Sequence, residues 1–157
     1  MSTLEAPVHP LHVPFVESTL SVFSTMLGWK VEPVSTLRLP AFHPQHDVSG
    51  IIGFSDAIRG TIVISLDREV ALSAAEAFIG ARPANIDADV LDMVGELANM
   101  VAGNAKQRIG NPGIKLGLPA VVSGSDMRIS FEPGAHVEFL SFVSPKGPLC
   151  VQWAMRQ

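Results

Sequence analysis

The feature that most constrains this chain is one long helical segment, Asp87 to Arg108, closed by the breaker run Gly110-Asn111-Pro112-Gly113. At about 100° per residue, Val90, Leu91, Val94, Leu97, Ala98, Val101, Ala102 and Ala105 fill a broad apolar arc that must face a core. With 157 residues, 47% of them apolar, the chain has the material for one compact domain with a sizeable interior. A single domain over 1–157 is therefore expected.

The other side of that helix carries Asp92, Glu96, Asn99, Gly103 and Lys106, at steps of i, i+4, i+7, i+11 and i+14, which place them along one line of the surface. Glu96 and Asn99 are next-turn neighbours, about 4.5 Å apart in rise and about 60° in rotation on an ideal helix. Local stability does not explain this face. Gly95 and Gly103 each weaken an exposed helix interior by about 1 kcal/mol relative to Ala, and Asn99 and Asn104 are poor interior residues. Conflicts between local and global preference concentrate at functional sites. Spacing alone leaves two readings open: a site, or ordinary solvated residues with glycines that serve packing against a strand.

Around this helix the pattern predicts an α+β fold, a mainly antiparallel sheet with three main helices packed against it. Residues 1–11, interrupted by Pro7 and Pro10, are expected to form a flexible or loosely packed arm. A first helix is expected over Val13 to Leu27, with Phe15, Val16, Leu20, Val22, Phe23, Met26 and Leu27 on its core face and Gly28 as its stop. Val34 to Leu39 reads as a strand, and Pro40 to Asp47 as a connecting loop holding His43 and His46. Val48 to Phe54 and Gly60 to Leu66 read as a hairpin with a five-residue loop. Asp67 caps a short helix through Phe78 that Gly80 closes. Short strands near Gly117 to Ser123 and Met127 to Phe131 precede two longer ones, His136 to Val143 and Leu149 to Met155.

Charge and composition exclude several function classes. A net charge of −4 offers nucleic acid or an anionic membrane surface no electrostatic support, so the expected partners are proteins or small molecules. The start of the chain lacks the basic and apolar regions of a secretory signal, and no stretch approaches eighteen apolar residues, so a cytoplasmic protein is expected. Cys150, the single cysteine, sits between Leu149 and Val151 and reads as a buried strand thiol. His43 and His46 have no acidic or cysteine ligands clustered near them, and no metal site is expected. No Ser-His-Asp or Cys-His set, Walker pattern or G-x-G-x-x-G is present to support nucleophilic or nucleotide chemistry.

The run Val94-Gly95-Glu96-Leu97-Ala98-Asn99-Met100-Val101-Ala102-Gly103-Asn104-Ala105-Lys106 resembles the signature helix of the CheC, CheX and FliY chemotaxis phosphatases, most closely CheX. Pro14-Phe15, Val22 to Leu27, the hairpin around Gly50-Ile51-Ile52-Gly53, and Leu118-Pro119-Ala120-Val121-Val122-Ser123-Gly124 extend the similarity over roughly residues 13 to 131. The resemblance implies a phosphatase for the aspartyl phosphate of a CheY-like receiver domain. Asn99 would hold the attacking water and Glu96 would pair with the receiver's lysine. Asp92, Gly95, Met100, Gly103 and Lys106 would meet the partner. The protein would need no cofactor of its own, the Mg²⁺ being the receiver's.

CheC-type members often carry a second Glu-x-x-Asn in the first helix, whereas here Glu17 is followed at three residues by Leu20. One pair is the CheX-like arrangement, which also implies a homodimer joined through sheet edges. Two segments depart from the family pattern: Asp56 stands where a glycine is expected, and the strands after Val137 match poorly. A different class of function remains open, a non-catalytic module docking a receiver or a flagellar or signalling component through the same face.

Overall fold

The computed structural model describes residues 9–38, 42–44, 46–124 and 127–156. Helix α1 spans His12–Leu27 and ends at Gly28, whose φ of 68° is the left-handed turn a glycine accepts without strain. Strand β1, Glu32–Arg38, and the short β2, Phe42–Pro44, follow. Then come β3, Val48–Asp56, and β4, Arg59–Leu66. Helix α2, Arg68–Ile79, starts at Asp67, whose carboxylate accepts the Val70 N–H, and stops at Gly80. Helix α3 covers Ala88–Ile109. The remaining strands follow: β5 Ile114–Leu116, β6 Ala120–Ser123, β7 Arg128–Ser130, β8 His136–Ser144 and β9 Gly147–Arg156.

Among the described residues, seven strands form one antiparallel sheet in the order β1-β8-β9-β4-β3, with β5 and β6 sharing the outer edge of β3. Alternation along β3 and β4 sends Val48, Ile52, Phe54, Ile62, Ile64 and Leu66 to the helix side, where they join Phe15, Phe23, Leu97 and Trp153 in the main core. The opposite face buries Val63, Val137 and Ala154 under Phe131, beside the β2–β7 ribbon. The expected α+β architecture is what the chain adopts. No helix among the described residues is long and apolar enough to cross a membrane.

Several expectations are corrected by long-range pairing. The presumed loop around His43 is partly strand: Phe42–Pro44 pairs with Arg128–Ser130, a partner too distant in sequence for local pattern to reveal. The hairpin keeps its five-residue loop, since β3–β4 pairing ends at Phe54↔Gly60, but long-range pairing extends its strands: Ser55 and Asp56 pair with Lys115 and Ile114 of β5, and Arg59 pairs with Arg156 of β9. Asp56 takes φ 68° there, the left-handed region that favours glycine. The strand expected near Gly117 to Ser123 is present but starts later, as β6 at Ala120, and a further short strand, β5, precedes it, with Gly117-Leu118-Pro119 between the two. Met26 is 43% exposed and leaves the core face of α1.

The expected arm begins outside the described residues, but its end is fastened. The His9 ring lies 4.4 Å from His136 and 4.9 Å from Trp153, centroid to centroid. His9 Nδ1 also accepts the Leu11 N–H at the start of α1. One turn on, His12 Nδ1 is 2.8 Å from one oxygen of Glu138, and His136 Nε2 is 3.0 Å from the other. Glu138 is buried, so this clasp ties the first turn of α1 to β8 with the acceptor removed from water.

Candidate functional site

Helix α3 is locked at both ends and along most of its circumference. The Asp87 carboxylate accepts the Val90 N–H at 3.0 Å, and Gly110, at φ 75°, returns its N–H to the Lys106 carbonyl. Val90, Val94, Leu97, Ala98, Val101, Ala102 and Ala105 are fully buried, with Leu91 partly so. The helix approaches β3 closely: a Cβ placed on Gly50 would stand 2.7 Å from the Ala98 Cβ and 3.2 Å from the Val94 carbonyl oxygen. On one flank α3 meets β6, and on the other α1. What remains open is a strip of surface between them.

Glu96 and Asn99 lie in that strip, both exposed, as does Asp92. Neither Glu96 nor Asn99 is engaged by a described hydrogen bond or ion pair, whereas comparable side chains nearby are committed. Glu17 pairs with Arg108 at 2.8 Å across the α1–α3 contact, and Asn104 accepts from the same guanidinium at 2.7 Å. The uncommitted acid and amide, one turn apart on a rigid support, are free to address an external group. An amide offers a carbonyl acceptor and two N–H donors and adds no negative charge. Among the described residues, no group of three or more His, Cys, Asp or Glu is arranged to hold a metal ion.

The residues expected around the pair separate into two sets. Gly103, Met100 and Lys106 are half-buried beside it. Gly103 and Met100 line a groove of about 420 Å³ that Thr25 and Met26 of α1 complete. Gly95 is buried, which corrects the reading of it as an exposed position. Its added Cβ would meet Val121 Cγ2 at 3.2 Å and Pro119 at 3.8 Å, so its bareness serves the seating of α3 against β6. Rotation explains the error: Gly95 lies only about 40° from Asn99 on the helix, at the margin that a neighbouring strand claims.

Two features escaped sequence reasoning. The His12–Glu138–His136 clasp joins residues 126 apart, which no spacing rule links. Leu118 is 93% exposed, and its only local signal is its place between Gly117 and Pro119.

The family profile described as chemotaxis phosphatase CheX matches residues 48–142. The chain belongs to the CheX family. Among solved structures, a CheC-like superfamily protein from Shewanella sp. PV-4 is 29% identical, with 94% of this chain and 97% of that one covered at a TM-score of 0.86. The chemotaxis protein CheX from Vibrio vulnificus is likewise 29% identical, covering 94% and 100%, at a TM-score of 0.83. A Borrelia burgdorferi CheX, crystallised as a CheX–CheY–BeF₃–Mg²⁺ complex, is 26% identical over 92% and 97%, at a TM-score of 0.70. No curated protein sequence matches the chain. The matched CheX region contains α3 whole, including the exposed pair, and reaches into β8.

Proposed function

We propose that this protein hydrolyses the aspartyl phosphate of a CheY-like receiver domain, with Asn99 holding the attacking water and Glu96 pairing with the receiver's active-site lysine. The observation that carries the proposal is the uncommitted Glu96–Asn99 pair, exposed on a helix that is otherwise fixed by its caps, its buried arc and its two flanks. Membership of a chemotaxis phosphatase family and a relative crystallised with CheY support the choice of partner.

In this reaction the water oxygen bonds to phosphorus as the bond from phosphorus to the aspartyl oxygen breaks. The carboxylate leaves, inorganic phosphate forms, and the water proton passes to solvent or phosphate. Phosphoryl transfer of this kind responds mainly to positioning and charge compensation. The Asn99 carbonyl would orient the water while its N–H donors face phosphoryl oxygens. Glu96 would hold the receiver's lysine in place by charge-assisted hydrogen bonding. The Mg²⁺ that neutralises phosphoryl charge belongs to the receiver; no cofactor of this chain enters. The setting is the cytoplasm, and the acting form is a homodimer joined through sheet edges.

The test is phosphate release from a phosphorylated receiver. Asn99→Ala and Glu96→Ala should each remove about 10²- to 10³-fold of the acceleration, equivalent to about 3 to 4 kcal/mol of barrier. Both side chains are exposed, so melting should stay within about 0.5 kcal/mol of wild type. Full activity in both variants refutes the assignment. A long-lived complex with no faster release, indifferent to Asn99, would identify a binding module instead.

A further inference from the structure

We propose that Leu118 is a docking residue whose side chain enters an apolar patch bordering the aspartyl phosphate of the receiver domain and so sets the receiver in register with Asn99. The inference rests on the reading of Glu96 and Asn99 above and adds to it the residue that positions the partner.

Among the described residues Leu118 is the outlier of the exposed apolar side chains: 93% of it is in water, against 65% for Val34, the next most exposed. Water contact of that extent leaves nearly the whole hydrophobic gain of a leucine unrealised in the free protein. A mobile loop would make this unremarkable, but the mount is fixed on both sides. Before it, Leu116 pairs with Phe54, and the Gly117 N–H donates to the Gly53 carbonyl at 2.9 Å. After it, Pro119 lies against Gly95, and Val121 pairs with Gly50. A side chain presented from a chain held at both ends loses little freedom on being buried by a partner, which favours affinity.

Its place in the fold selects the partner. Pro119 touches α3 at Gly95, and Asn99 stands four residues on, about 6 Å along the axis and about 40° around it. With Leu116 opposite Phe54 and Ala120 opposite Ile51, Leu118 stands beyond Gly50, the residue under Val94 and Ala98. It lies toward the end of β3 where the chain leaving α3 bonds to Ala57, and so toward the C-terminal, Asn99 side of the Gly95 contact. A receiver that brings its phosphate to Asn99 therefore meets this flank. No charged side chain occurs from Leu116 to Ser123, so the complementary surface is aliphatic.

The experiment measures phosphate release against phosphorylated-receiver concentration for wild type, Leu118→Asn and Leu118→Met. It also measures equilibrium affinity for a CheY-like receiver loaded with beryllium fluoride and Mg²⁺. Leu118→Asn should raise KM and weaken affinity about tenfold while kcat holds, and Leu118→Met should return both to within about twofold. Asn99→Ala should lower kcat instead. Unchanged affinity in Leu118→Asn overturns the proposal, as does a fall in kcat at constant KM. A change in oligomeric state by sedimentation also overturns it, by assigning Leu118 to a contact between two copies. A wild-type protein that fails to speed release overturns the phosphatase reading alone, since the affinity measurement judges Leu118 independently.

Discussion

Replacing Gly50 by alanine tests the one contact on which the placement of α3 depends most. The new Cβ would lie 2.7 Å from the Ala98 Cβ, 3.2 Å from the Val94 carbonyl oxygen and 3.5 Å from Val94 Cγ1. Carbon atoms settle about 3.5–4.0 Å apart, so the helix must retreat from β3 by about 1 Å. Neither neighbour can swing aside, because one is backbone and the other is joined directly to it. Overpacking of this size costs about 1–3 kcal/mol, offset by about 0.4–1 kcal/mol from the stiffer unfolded chain. For a domain of this length each kcal/mol moves the melting point about 2–4 °C, so a central net loss of about 1–2 kcal/mol gives a fall of roughly 2–8 °C by circular dichroism. The retreat also carries Asn99 out of place, and a misplacement of about 1 Å can cost about 10²-fold in rate. Adding Ala98→Gly removes the atom that the new Cβ strikes. The double variant should recover phosphate release, while remaining less stable than wild type by about 1 kcal/mol for the helical glycine. Wild-type melting and turnover in Gly50→Ala, or no recovery in the double variant, would refute the reasoning.

Glu138→Ala strips two imidazoles of their shared buried acceptor, and unfolding followed by tryptophan fluorescence should show a loss of about 3 kcal/mol, near 6–12 °C. An unshifted melt would mean that the clasp contributes nothing. Burial pushes the Cys150 thiol up from its ordinary 9.0 to about 12, against a smaller opposing hydrogen bond with Ser65. The folded state thus holds this proton where the unfolded state releases it, so the associated stability is present below about pH 9 and is lost as pH climbs toward 12. Iodoacetamide at pH 8 should leave the native thiol intact and label it once the chain is unfolded in guanidinium; stoichiometric labelling of the native protein would contradict this.

The elements that local chemistry determines were legible in the chain. Asp67 and Asp87 cap helices, Gly28, Gly80 and Gly110 stop them in left-handed turns, and the periodic apolar arc of α3 points to the core. The exposure of Glu96 and Asn99 follows from that arc, since the residues opposite it have no other place. What could not be read are the contacts between elements. The claim of β6 on Gly95, the pairing of β2 with β7, and the contribution of α1 to the groove beside Met100 depend on partners far away in sequence. The margin of a helical face is decided by whichever neighbour arrives, and periodicity carries no information about that.

Gly95 and Gly50 answer a question the sequence could only pose, namely why a long helix gives up propensity beside its exposed pair. Both glycines lie where α3 presses on something else: Gly95 against Pro119 and Val121, and Gly50 of β3 against Ala98 and Val94. Neither is needed for bare backbone to face a partner. They let the helix sink toward the sheet and against β6, which leaves the strip bearing Asn99 and Glu96 as the only part of its middle turns not packed. Gly103 is the exception, with nothing within 4 Å of an added Cβ, and there the open space itself is the feature. A helix seated this tightly cannot rotate its pair to suit a ligand, so the partner must adapt in orientation. That requirement fits the docking role proposed for Leu118, whose mount is fixed at both ends.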